Sequence, residues 1–579
     1  MGVWYICRND ARAEGRLAEA RAQIVRHGHQ APREITTPHF RGLAAGYIYP
    51  GTTTFFQSGD DFVALAGTLF YRGEAGEAAL RLLLQDYEPP FDRWADTLGH
   101  FAALIFKGGR LFAFTDWSAS FHLYQSDDRS VFSTSFLSIA RTLPALTFNK
   151  QAVYEFVFHG TPLGNASVFA EISRPDRSEE LELGADIRVH TSPRALPVVE
   201  PDEPFERLLD RIATSLRRMF AVPARHFANN VQCPLSGGFD SRLVLALLAD
   251  AGVRPSLYVY GRSDDDDVRI STLIAGKEGY DLQTFNKSAY RKVEPDEFPE
   301  IVRQNFEEMD GTPMNGGMFD AGGNSRARHD RAKGGALAVS GAAGEIFRNY
   351  FYLADRPLST RAVIEAFYAG FDPADCTSAF NEGEFLEQMD RKLQHALGVG
   401  PERRKRLEIE SAYPLFRCPP AFGREMSMVG RFGPYFVPFC EYAITREAAN
   451  IPVRWRTHGV FQSKLLTRIN PRLAAYPSAY GHSFAEPVSF AHRFSDAISL
   501  YRPPWLRRYS YRMKRRLRAP ADPRVGLMVP AFLDKVFDTS FPVMRRLFDM
   551  RRLSDPGLFK AIATLEYLAQ RLSDRVKLG

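Results

Sequence analysis

The sequence predicts an α/β protein in two parts, an N-terminal α+β sandwich followed by a parallel-sheet domain with added helices. Residues 1 to about 190 carry short apolar or alternating segments separated by Gly and Asp turns, a pattern typical of antiparallel strands. From about residue 205, strand-like and helix-like segments alternate, which indicates a parallel sheet with right-handed crossovers. A linker rich in proline separates the two patterns, with Pro193, Pro197, Pro201 and Pro204.

The first part contains seven predicted strands and one predicted helix. The strands lie at residues 3–7, 44–49, 62–70, 101–106, 110–116, 131–135 and 186–190. The helix covers Gly76–Asp86, where Ala79, Leu80, Leu83 and Leu84 recur at helical spacing. We therefore assign residues 1–200 to the first domain.

The second part opens with an amphipathic helix at about 205–220. Strands at 229–235, Ser256–Tyr260 and 336–340 follow, and helices at 241–251 and 268–279 come after the first two of them. This domain is assigned to residues 205–495. Residues 496–579 form a basic C-terminal extension, helical near its end.

Composition excludes several classes of protein. The 579 residues are 25% charged with a net charge of +6, which is typical of a globular chain. No uninterrupted apolar run is long enough for a membrane span, and the N-terminus does not resemble a signal peptide. The five cysteines form no CxxC pair, which argues against a disulfide scaffold or a structural zinc site. A cytoplasmic location is expected.

The motif that carries chemistry reads Pro234-Leu235-Ser236-Gly237-Gly238-Phe239-Asp240-Ser241. Two glycines let the backbone approach a ligand closely, and the N–H groups at the following helix start favour an anion. Asp240 would repel a bare phosphate, so it indicates a bound cation such as Mg²⁺. The loop lacks the GxxxxGK(S/T) pattern. The alternative is a structural turn in which Asp240 or Ser241 caps the helix.

Residues Ser236–Ser241 resemble the SGGxDS pyrophosphate loop of the ATP pyrophosphatase superfamily. The order of other segments resembles the asparagine synthetase family. These are residues 257–261, 307–314, 340–350 and 436–441, together with 98–102, 115–124 and 132–135 in the first part. The resemblance implies an N-terminal-nucleophile hydrolase-like glutaminase domain followed by an ATP pyrophosphatase domain.

The same resemblance implies ATP and Mg²⁺ as cofactors and assigns the site residues. ATP would contact Leu235, Ser236, Gly237, Gly238, Asp240, Ser241, Val259, Ser340 and Gly341. Asp240 and Glu345 would hold the metal. The residues with catalytic roles would be Asp240, Glu345 and Lys464.

The chain departs from this family at several positions. Gly2 stands where the family has its nucleophilic cysteine, and Ala66-Gly67-Thr68 replaces its NGE segment. No Asp occurs between Asp61 and Asp86 to hold a glutamine amine. Glutaminase activity is therefore expected to be lost, as in β-lactam synthetase and lasso-peptide cyclases. In the synthetase part, Glu345 is the only acid left in the SGEGxDE-like loop, and residues 476–482 contain no lysine.

The main hypothesis is a ligase that adenylates a small-molecule or peptide carboxylate and joins it to ammonia or a substrate amine. Alternatives are an intramolecular amide-forming cyclase, a nucleotide-binding pseudoenzyme and a tRNA-modifying relative. The oligomeric state stays open, a dimer included.

Three other features stand out. The acids at 264–267 are expected to be a solvated loop before a helix, rather than Mg²⁺ ligands. His27 and His29 are expected at the surface. Residues 502–518 hold eight basic side chains with interleaved aromatics and no acid, which fits an anionic partner or a membrane surface. The alternative for this segment is a solvated helix docked through Trp505 and the tyrosines.

Overall fold

The computed structural model describes residues 2–49, 51–192, 194, 196–199, 202–312, 317–488, 490–516 and 522–577. Within these ranges only the backbone is described at Ser288, Phe490, Ala491, His492, Ser495, Lys514, Arg515 and Arg516. Pro193 and Pro201 of the linker, Pro313 and Met314 of a family-like segment, and the basic Arg518 lie outside the described residues.

The first part is a mixed α/β unit with sixteen described strands. They are β1 (Val3–Arg8), β2 (Arg33–Thr36), β3 (Phe40–Ala45), β4 (Phe55–Ser58), β5 (Asp61–Gly67), β6 (Phe70–Tyr71), β7 (Glu74–Ala75), β8 (Thr97–Leu98), β9 (Phe101–Lys107), β10 (Arg110–Thr115), β11 (Tyr124–Ser126), β12 (Val131–Ser133), β13 (Leu146–Thr147), β14 (Ile172–Ser173), β15 (Glu179–Leu183) and β16 (Ile187–Thr191). Its helices are α1 (Ala13–Arg26), α2 (Gly76–Asp86), α3 (Phe136–Thr142) and α4 (Lys150–His159).

Two six-stranded antiparallel sheets form a sandwich in this part. One has the order β14-β11-β12-β1-β3-β2 and the other β16-β15-β10-β9-β5-β4. Alternate side chains of both sheets, such as Trp4, Ala64 and Leu104, meet in one buried cluster, as period-two strands require. Helices α1 and α3 pack on the outer face of the first sheet, and α2 packs on the second.

The second part is built on a parallel sheet. Its strands are β17 (Val231–Pro234), β18 (Ser256–Tyr260), β19 (Leu282–Phe285), β20 (Leu337–Val339) and β21 (Tyr435–Phe436), in the order β19-β18-β17-β20-β21. Every described pair in this sheet is parallel. The surrounding helices are α5 (Phe205–Phe227), α6 (Phe239–Asp250), α7 (Asp266–Glu278), α8 (Phe298–Glu308), α9 (Gly323–Ala332), α10 (Thr360–Val363), α11 (Glu382–Leu397), α12 (Arg406–Glu410), α13 (Cys418–Val429), α14 (Tyr442–Ala448), α15 (Val453–Arg456), α16 (Val460–Ile469) and α17 (Pro471–Ala474).

The C-terminal segment is helical and returns to the first part. It contains α18 (Phe490–Tyr501), α19 (Pro504–Arg516), α20 (Pro530–Leu533), α21 (Pro556–Arg571) and β22 (Val576–Lys577). Strand β22 pairs in parallel with β13, and α21 packs on α4. Within the predicted extension 496–579, most of the apolar side chains between Met528 and Leu572 are buried against the rest of the chain. Among the described helices, none is both long and apolar enough to cross a membrane.

Most predicted elements are present with shifts of a few residues. Gly76–Asp86 and Ser256–Tyr260 are confirmed, and the parallel sheet is confirmed. The strand predicted at 44–49 is largely wrong, because β3 ends at Ala45. The helix predicted at 205–220 continues to Phe227, although it contains Pro223. The prediction of surface histidines is wrong as well, since His27 and His29 are buried.

Candidate functional site

The candidate site lies where the strand order of the parallel sheet reverses. The chain runs from β17 outward to β18 and β19, then returns to place β20 on the other side of β17. Loops leaving the carboxyl ends of β17 and β20 therefore diverge around one crevice, which is the usual ligand position in open parallel sheets. The Ser236–Ser241 turn follows β17, and Ser340–Glu345 follows β20.

The turn after β17 is tightly organised by its own hydroxyls. Ser236 N donates to Ser241 Oγ (3.1 Å), and Gly238 N donates to Ser236 Oγ (3.2 Å). The two serine hydroxyls lie 2.9 Å apart. Helix α6 then begins at Phe239, so its first N–H groups have no acceptor within the helix. The turn thus combines a helix N-terminus with two hydroxyls, a combination suited to an anion.

Asp240 lies in the first turn of α6 and accepts hydrogen bonds from two side chains. Arg348 Nη2 donates to its Oδ2 at 2.9 Å, and Gln462 Nε2 donates to its Oδ1 at 2.6 Å. Burial raises the pKa of Asp240 to about 6, because Glu345 adds to the burial effect and Arg348 only partly offsets it. A further cation beside Asp240 would stabilise the ionised form of its carboxylate.

Glu345 comes from the short helix after β20. Its Oε2 accepts a 2.7 Å hydrogen bond from Tyr413, and its Oε1 lies 3.5 Å from Arg348 Nη2. One guanidinium nitrogen therefore reaches both acids. Asp240 and Glu345, far apart in sequence, are brought together as predicted, and both face a cavity of about 270 Å³.

Two glycines of the β20 loop allow this approach. A Cβ atom on Gly341 would lie 2.7 Å from both Asp240 C and Ser241 N. A Cβ atom on Gly344 would lie 2.3 Å from Asp240 Oδ1. Any side chain at Gly341 would push against backbone, so the loop can lie against the start of α6 only without one.

The remaining residues predicted to contact ATP lie around the same edge of the sheet. Leu235 is buried and its N–H donates to Tyr258 O at 2.9 Å, while Val259 is buried within β18. Ser340 N donates to Phe436 O at 3.0 Å, and Ser340 Oγ accepts from Ala342 N at 3.1 Å. These residues lie at or near the carboxyl ends of β17, β18 and β20.

Lys464 lies apart from the two acids. It is exposed on α16 and lines a larger cavity of about 1140 Å³. The two cavities share Asn349, Thr457, His458 and Leu500 as lining residues. The catalytic role suggested for Lys464 therefore stays a prediction, with the side chain next to the site rather than on the Asp240 cavity.

One member of the acidic run at 264–267 reaches the turn. Asp267 Oδ1 accepts a 2.8 Å hydrogen bond from Gly237 N, whereas Asp264 and Asp266 pair with Arg262 and Arg269 on the surface. All four acids are exposed, as expected, but Asp267 also contacts the turn, because the start of α7 lies beside it.

The turn is suited to bind a phosphate group and a divalent cation. Charged side chains of the chain itself, however, occupy both binding positions. Asp267 takes the Gly237 N–H, where a phosphate oxygen would accept. Arg348 lies between Asp240 and Glu345, where a shared cation would lie. Beside them, Gln462 Oε1 and Arg348 Nε are buried without a hydrogen-bond partner. Such unsatisfied atoms indicate that another polar group belongs here.

The described residues provide only part of a metal site. No group of three or more His, Cys, Asp or Glu side chains suited to a metal occurs among them. Asp240 and Glu345 would thus supply two carboxylate ligands for Mg²⁺. Water and phosphate oxygens, which Mg²⁺ commonly keeps, would supply the others.

In the first part, the position expected for a nucleophile is closed. Gly2 N donates to Ala45 O at 3.1 Å. A Cβ atom on Gly2 would lie 2.3 Å from His29 Cε1 and 3.0 Å from Arg431 O. Burial lowers the pKa of His29 to about 3, so its ring stays neutral. This position has neither a thiol nor space for one.

Sequence reasoning missed the groups that complete the site, namely Arg348, Gln462, Tyr413 and Asp267. Arg348 carried one usable signal, since it lies three residues after Glu345 within the segment already singled out. Gln462 and Tyr413 lie in helical segments with no motif, so only the folded arrangement brings them to the acids.

No protein-family model matches the chain, and no curated protein sequence matches it significantly. Among solved structures, glutamine phosphoribosylpyrophosphate amidotransferase from B. subtilis, complexed with ADP and GMP, is 10% identical. The match covers 50% of this chain and 66% of that enzyme, with a TM-score of 0.22. A structure described as the allosteric regulatory enzyme of purine biosynthesis is 9% identical, with 49% and 79% coverage and a TM-score of 0.23. Similarity this low carries no argument about fold or activity.

Proposed function

We propose that this chain is an ATP-dependent carbon–nitrogen ligase of the asparagine-synthetase type, without glutaminase activity. A substrate carboxylate attacks the α-phosphorus of ATP, forming an acyl-adenylate and releasing pyrophosphate. An amine or ammonia then attacks the acyl carbon and releases AMP. The observation that carries this proposal is the convergence of Asp240 and Glu345 on one cavity at the reversal point of the sheet.

The chain's own residues would act on the polyphosphate by binding and orientation. The hydroxyls of Ser236 and Ser241 and the first N–H groups of α6 would donate to phosphate oxygens. Asp240 and Glu345 would hold Mg²⁺, and bound Mg²⁺ would neutralise negative charge on the leaving pyrophosphate. Tyr413 orients Glu345 through its 2.7 Å hydrogen bond.

Asp267 and Arg348 support the proposal as internal substitutes for the ligands. The Asp267 carboxylate accepts a hydrogen bond from Gly237 N, where a phosphate oxygen could bind. The Arg348 guanidinium lies between Asp240 and Glu345, where a metal cation could bind. Opening would require Asp267 to leave Gly237 and Arg348 to turn away from Asp240. After this movement, Arg348 would remain beside the crevice as a permanent positive charge.

The closed position at Gly2 favours an amine that does not come from glutamine. Ammonia or an amine on the substrate itself would serve, and the second case makes the enzyme a cyclase. We expect no release of glutamate when the protein is incubated with glutamine, ATP and Mg²⁺.

The test is ATP–pyrophosphate exchange with a panel of carboxylates, including aspartate and peptides. We expect exchange with at least one of them, and Asp240→Asn should lower its rate at least about a hundredfold, because one preorganised charge commonly contributes that much. Asp264→Asn is the matched control, since Asp264 belongs to the acidic run but pairs with Arg262 on the surface. Its exchange rate should equal that of the unmodified protein.

The second candidate is a pseudoenzyme. It is favoured if the side chains of Asp267 and Arg348 stay in the site permanently. In that case the protein would show no exchange with any carboxylate, and Asp240→Asn would leave ATP binding unchanged. Unaltered exchange in a folded Asp240→Asn protein would contradict the ligase proposal itself.

A further inference from the structure

Exposed apolar side chains of the described chain concentrate on two consecutive helices. Seventeen large apolar or aromatic side chains are exposed in all, and eight of them lie between residues 494 and 513. Phe494, Ile498 and Tyr501 belong to α18 and follow a spacing of four and three residues. Trp505, Tyr509 and Met513 belong to α19 and follow a spacing of four. Such spacings place side chains on one face of a helix.

These six side chains are between 51% and 73% exposed. Single exposed apolar residues are ordinary on protein surfaces, whereas three on one face of each of two consecutive helices indicate an interaction surface. Trp505 is the only tryptophan, and Phe494 the only phenylalanine, that is largely exposed among the residues whose side chains are described. We call the set Phe494, Ile498, Tyr501, Trp505, Tyr509 and Met513 the apolar stripe.

The protein holds α19 partly by the face opposite the stripe. The buried guanidinium of Arg507 donates to Phe351 O (2.9 Å) and Ser499 O (2.6 Å). Arg507 lies roughly 200° around the helix from Trp505 at 3.6 residues per turn. Arg508 and Arg512 both pair with Glu382, and Arg512 lies roughly 20° around the helix from Trp505, at the edge of the stripe. The helix is docked on the domain, as the alternative considered from sequence expects, but Trp505 is exposed and the described polar contacts run through Arg507, Arg508 and Arg512.

The segment that carries the stripe is rich in basic residues. Residues 497–521 contain eight basic residues and no acid. Arg507 is buried, and Arg508 and Arg512 share one glutamate. In sequence, Arg502 precedes α19, and Lys514, Arg515, Arg516 and Arg518 follow Met513. The formal charge of residues 497–521 is therefore +8, whereas the net charge of the whole chain is +6.

We propose that the apolar stripe on α18 and α19, with the basic residues around it, docks the protein on the surface of an anionic lipid bilayer. Helices that lie in the interface plane combine Trp and aliphatic side chains with Arg and Lys in this way. Ile498 and Met513 would add little to nucleic-acid binding, which depends on charge and stacking. The partner is therefore a bilayer whose charge complements the basic residues and whose interior accepts the stripe.

Docking would also orient the larger cavity. Phe494 and Tyr501 belong to the stripe and line the 1140 Å³ cavity that shares four residues with the Asp240 cavity. The mouth of that cavity would then face the bilayer. This inference does not depend on the proposed ligase activity.

The test is co-flotation of the full chain with vesicles of phosphatidylcholine alone or mixed with phosphatidylglycerol. We expect binding only to the anionic vesicles, with a blue shift of tryptophan emission that Trp505→Phe removes. Arg502→Gln with Lys514→Gln should weaken binding about fivefold per charge removed. Arg81→Gln with Lys277→Gln, which removes exposed charges of the same kinds on α2 and α7, is the matched control.

A second pair of variants tests the contribution of the apolar side chains to membrane binding. Ile498→Ser with Met513→Ser should weaken flotation with the anionic vesicles at low salt several-fold, because apolar burial adds to the electrostatic attraction, and should leave thermal unfolding unchanged. Val25→Ser with Leu273→Ser, two exposed apolar residues on α1 and α7, should bind like the unmodified protein. Equal binding to neutral vesicles, no binding to anionic vesicles, or self-association through this face without vesicle binding would each overturn the proposal.

Discussion

At the scale of single residues, charge pairing controls the candidate site. Asp240 and Glu345 share Arg348, and all three side chains are only partly accessible. A buried or half-buried carboxylate pair is costly unless a cation lies between its members. The site is therefore built to hold one positive charge at this point, whatever group supplies it.

Replacing Arg348 tests whether the two acids need a positive charge between them. We expect Arg348→Ala to lower the free energy of unfolding at pH 7.5 by about 1–3 kcal/mol, because two acids then face each other without a counter-ion. Added MgCl₂ should restore more of the melting temperature in this variant than in the unmodified protein. Thermal unfolding with and without MgCl₂ is the measurement.

Two comparisons make this prediction specific. Arg348→Lys keeps the charge and should behave like the unmodified protein. Arg361→Ala breaks a more exposed helical pair with Glu365 and should cost less than about 1 kcal/mol, with no Mg²⁺ effect. If Arg348→Ala were as stable as the unmodified protein and insensitive to Mg²⁺, the acids would not form a cation site.

Gly2 provides a second residue-scale prediction. Gly2→Ala should lower the free energy of unfolding by about 1–3 kcal/mol, because its Cβ atom would lie 2.3 Å from His29 Cε1 in a packed interior. Gly15→Ala is the control, since nothing lies within 4 Å of a Cβ atom there. Gly15 lies inside α1, so alanine should instead stabilise by about 0.5–1 kcal/mol. Urea unfolding compares the two; equal effects would show that the Gly2 position is open.

At the scale of elements, the site depends on two loops that meet over α6. The β17 turn and the β20 loop touch at Gly341 and Gly344, and neither loop alone brings both acids to the cavity. The reversal of strand order makes these loops neighbours, so the crevice is a property of the sheet topology.

Gly341→Ala should separate the two loops. Its Cβ atom would lie 2.7 Å from backbone atoms of Asp240 and Ser241, which cannot rotate away as a side chain could. We expect a loss of about 1–3 kcal/mol in the free energy of unfolding and loss of ATP–pyrophosphate exchange. Gly276→Ala in α7 has no neighbour within 4 Å and should retain both properties. Normal exchange in Gly341→Ala would show that close contact of the loops is not needed.

At the scale of the whole molecule, buried charges join the two parts. His100 and Asp116 belong to the first part and Glu441 to the second. His100 Nε2 lies 3.4 Å from Glu441 Oε1, and Gly99 N donates to the same oxygen at 2.9 Å. Burial alone would lower the pKa of His100, but Glu441 and Asp116 raise it to about 9. The interface between the parts is thus sensitive to pH.

The sign of this sensitivity follows from the raised pKa. The folded state holds the His100 proton more tightly than an unfolded chain, whose histidine pKa is about 6.5. The contribution of His100 is present below pH 6.5 and is lost as pH rises through 9, and ionisation of Glu441, whose pKa burial raises to about 7, lowers stability in the same direction. The shift of His100 corresponds to about 3 kcal/mol. His100→Gln should remove its share of this fall, measured by urea unfolding at pH 6.5 and 9.

His395→Gln is the matched control. His395 also pairs with an acid, Asp176, but its side chain is largely exposed, so the pH dependence of the unmodified protein should persist. If His100→Gln kept the full fall in stability between pH 6.5 and 9, the His100 cluster would not cause it.

Some elements could be predicted from the sequence pattern alone, and others could not. The Ser236–Ser241 turn and the strand at Ser256–Tyr260 follow from local signals, because glycine, β-branched and aromatic residues act on their own backbone. His27 and His29 were misjudged, because a polar residue carries no sign of burial until its partners are known. The ring of His29 is hydrogen-bonded to Gly46 O at 2.9 Å, a partner seventeen residues away in sequence.

The sequence by itself determined the β17–α6–β18–α7 succession, the anion-suited turn at the start of α6 and the glycine at position 2. Local spacing and residue type are sufficient for these features, since each depends on neighbours along the chain. Only the tertiary structure decided that Arg348 lies between Asp240 and Glu345, that Asp267 occupies the turn and that α19 turns its aromatic face outward. Those features depend on distances between residues far apart in sequence, which packing alone sets.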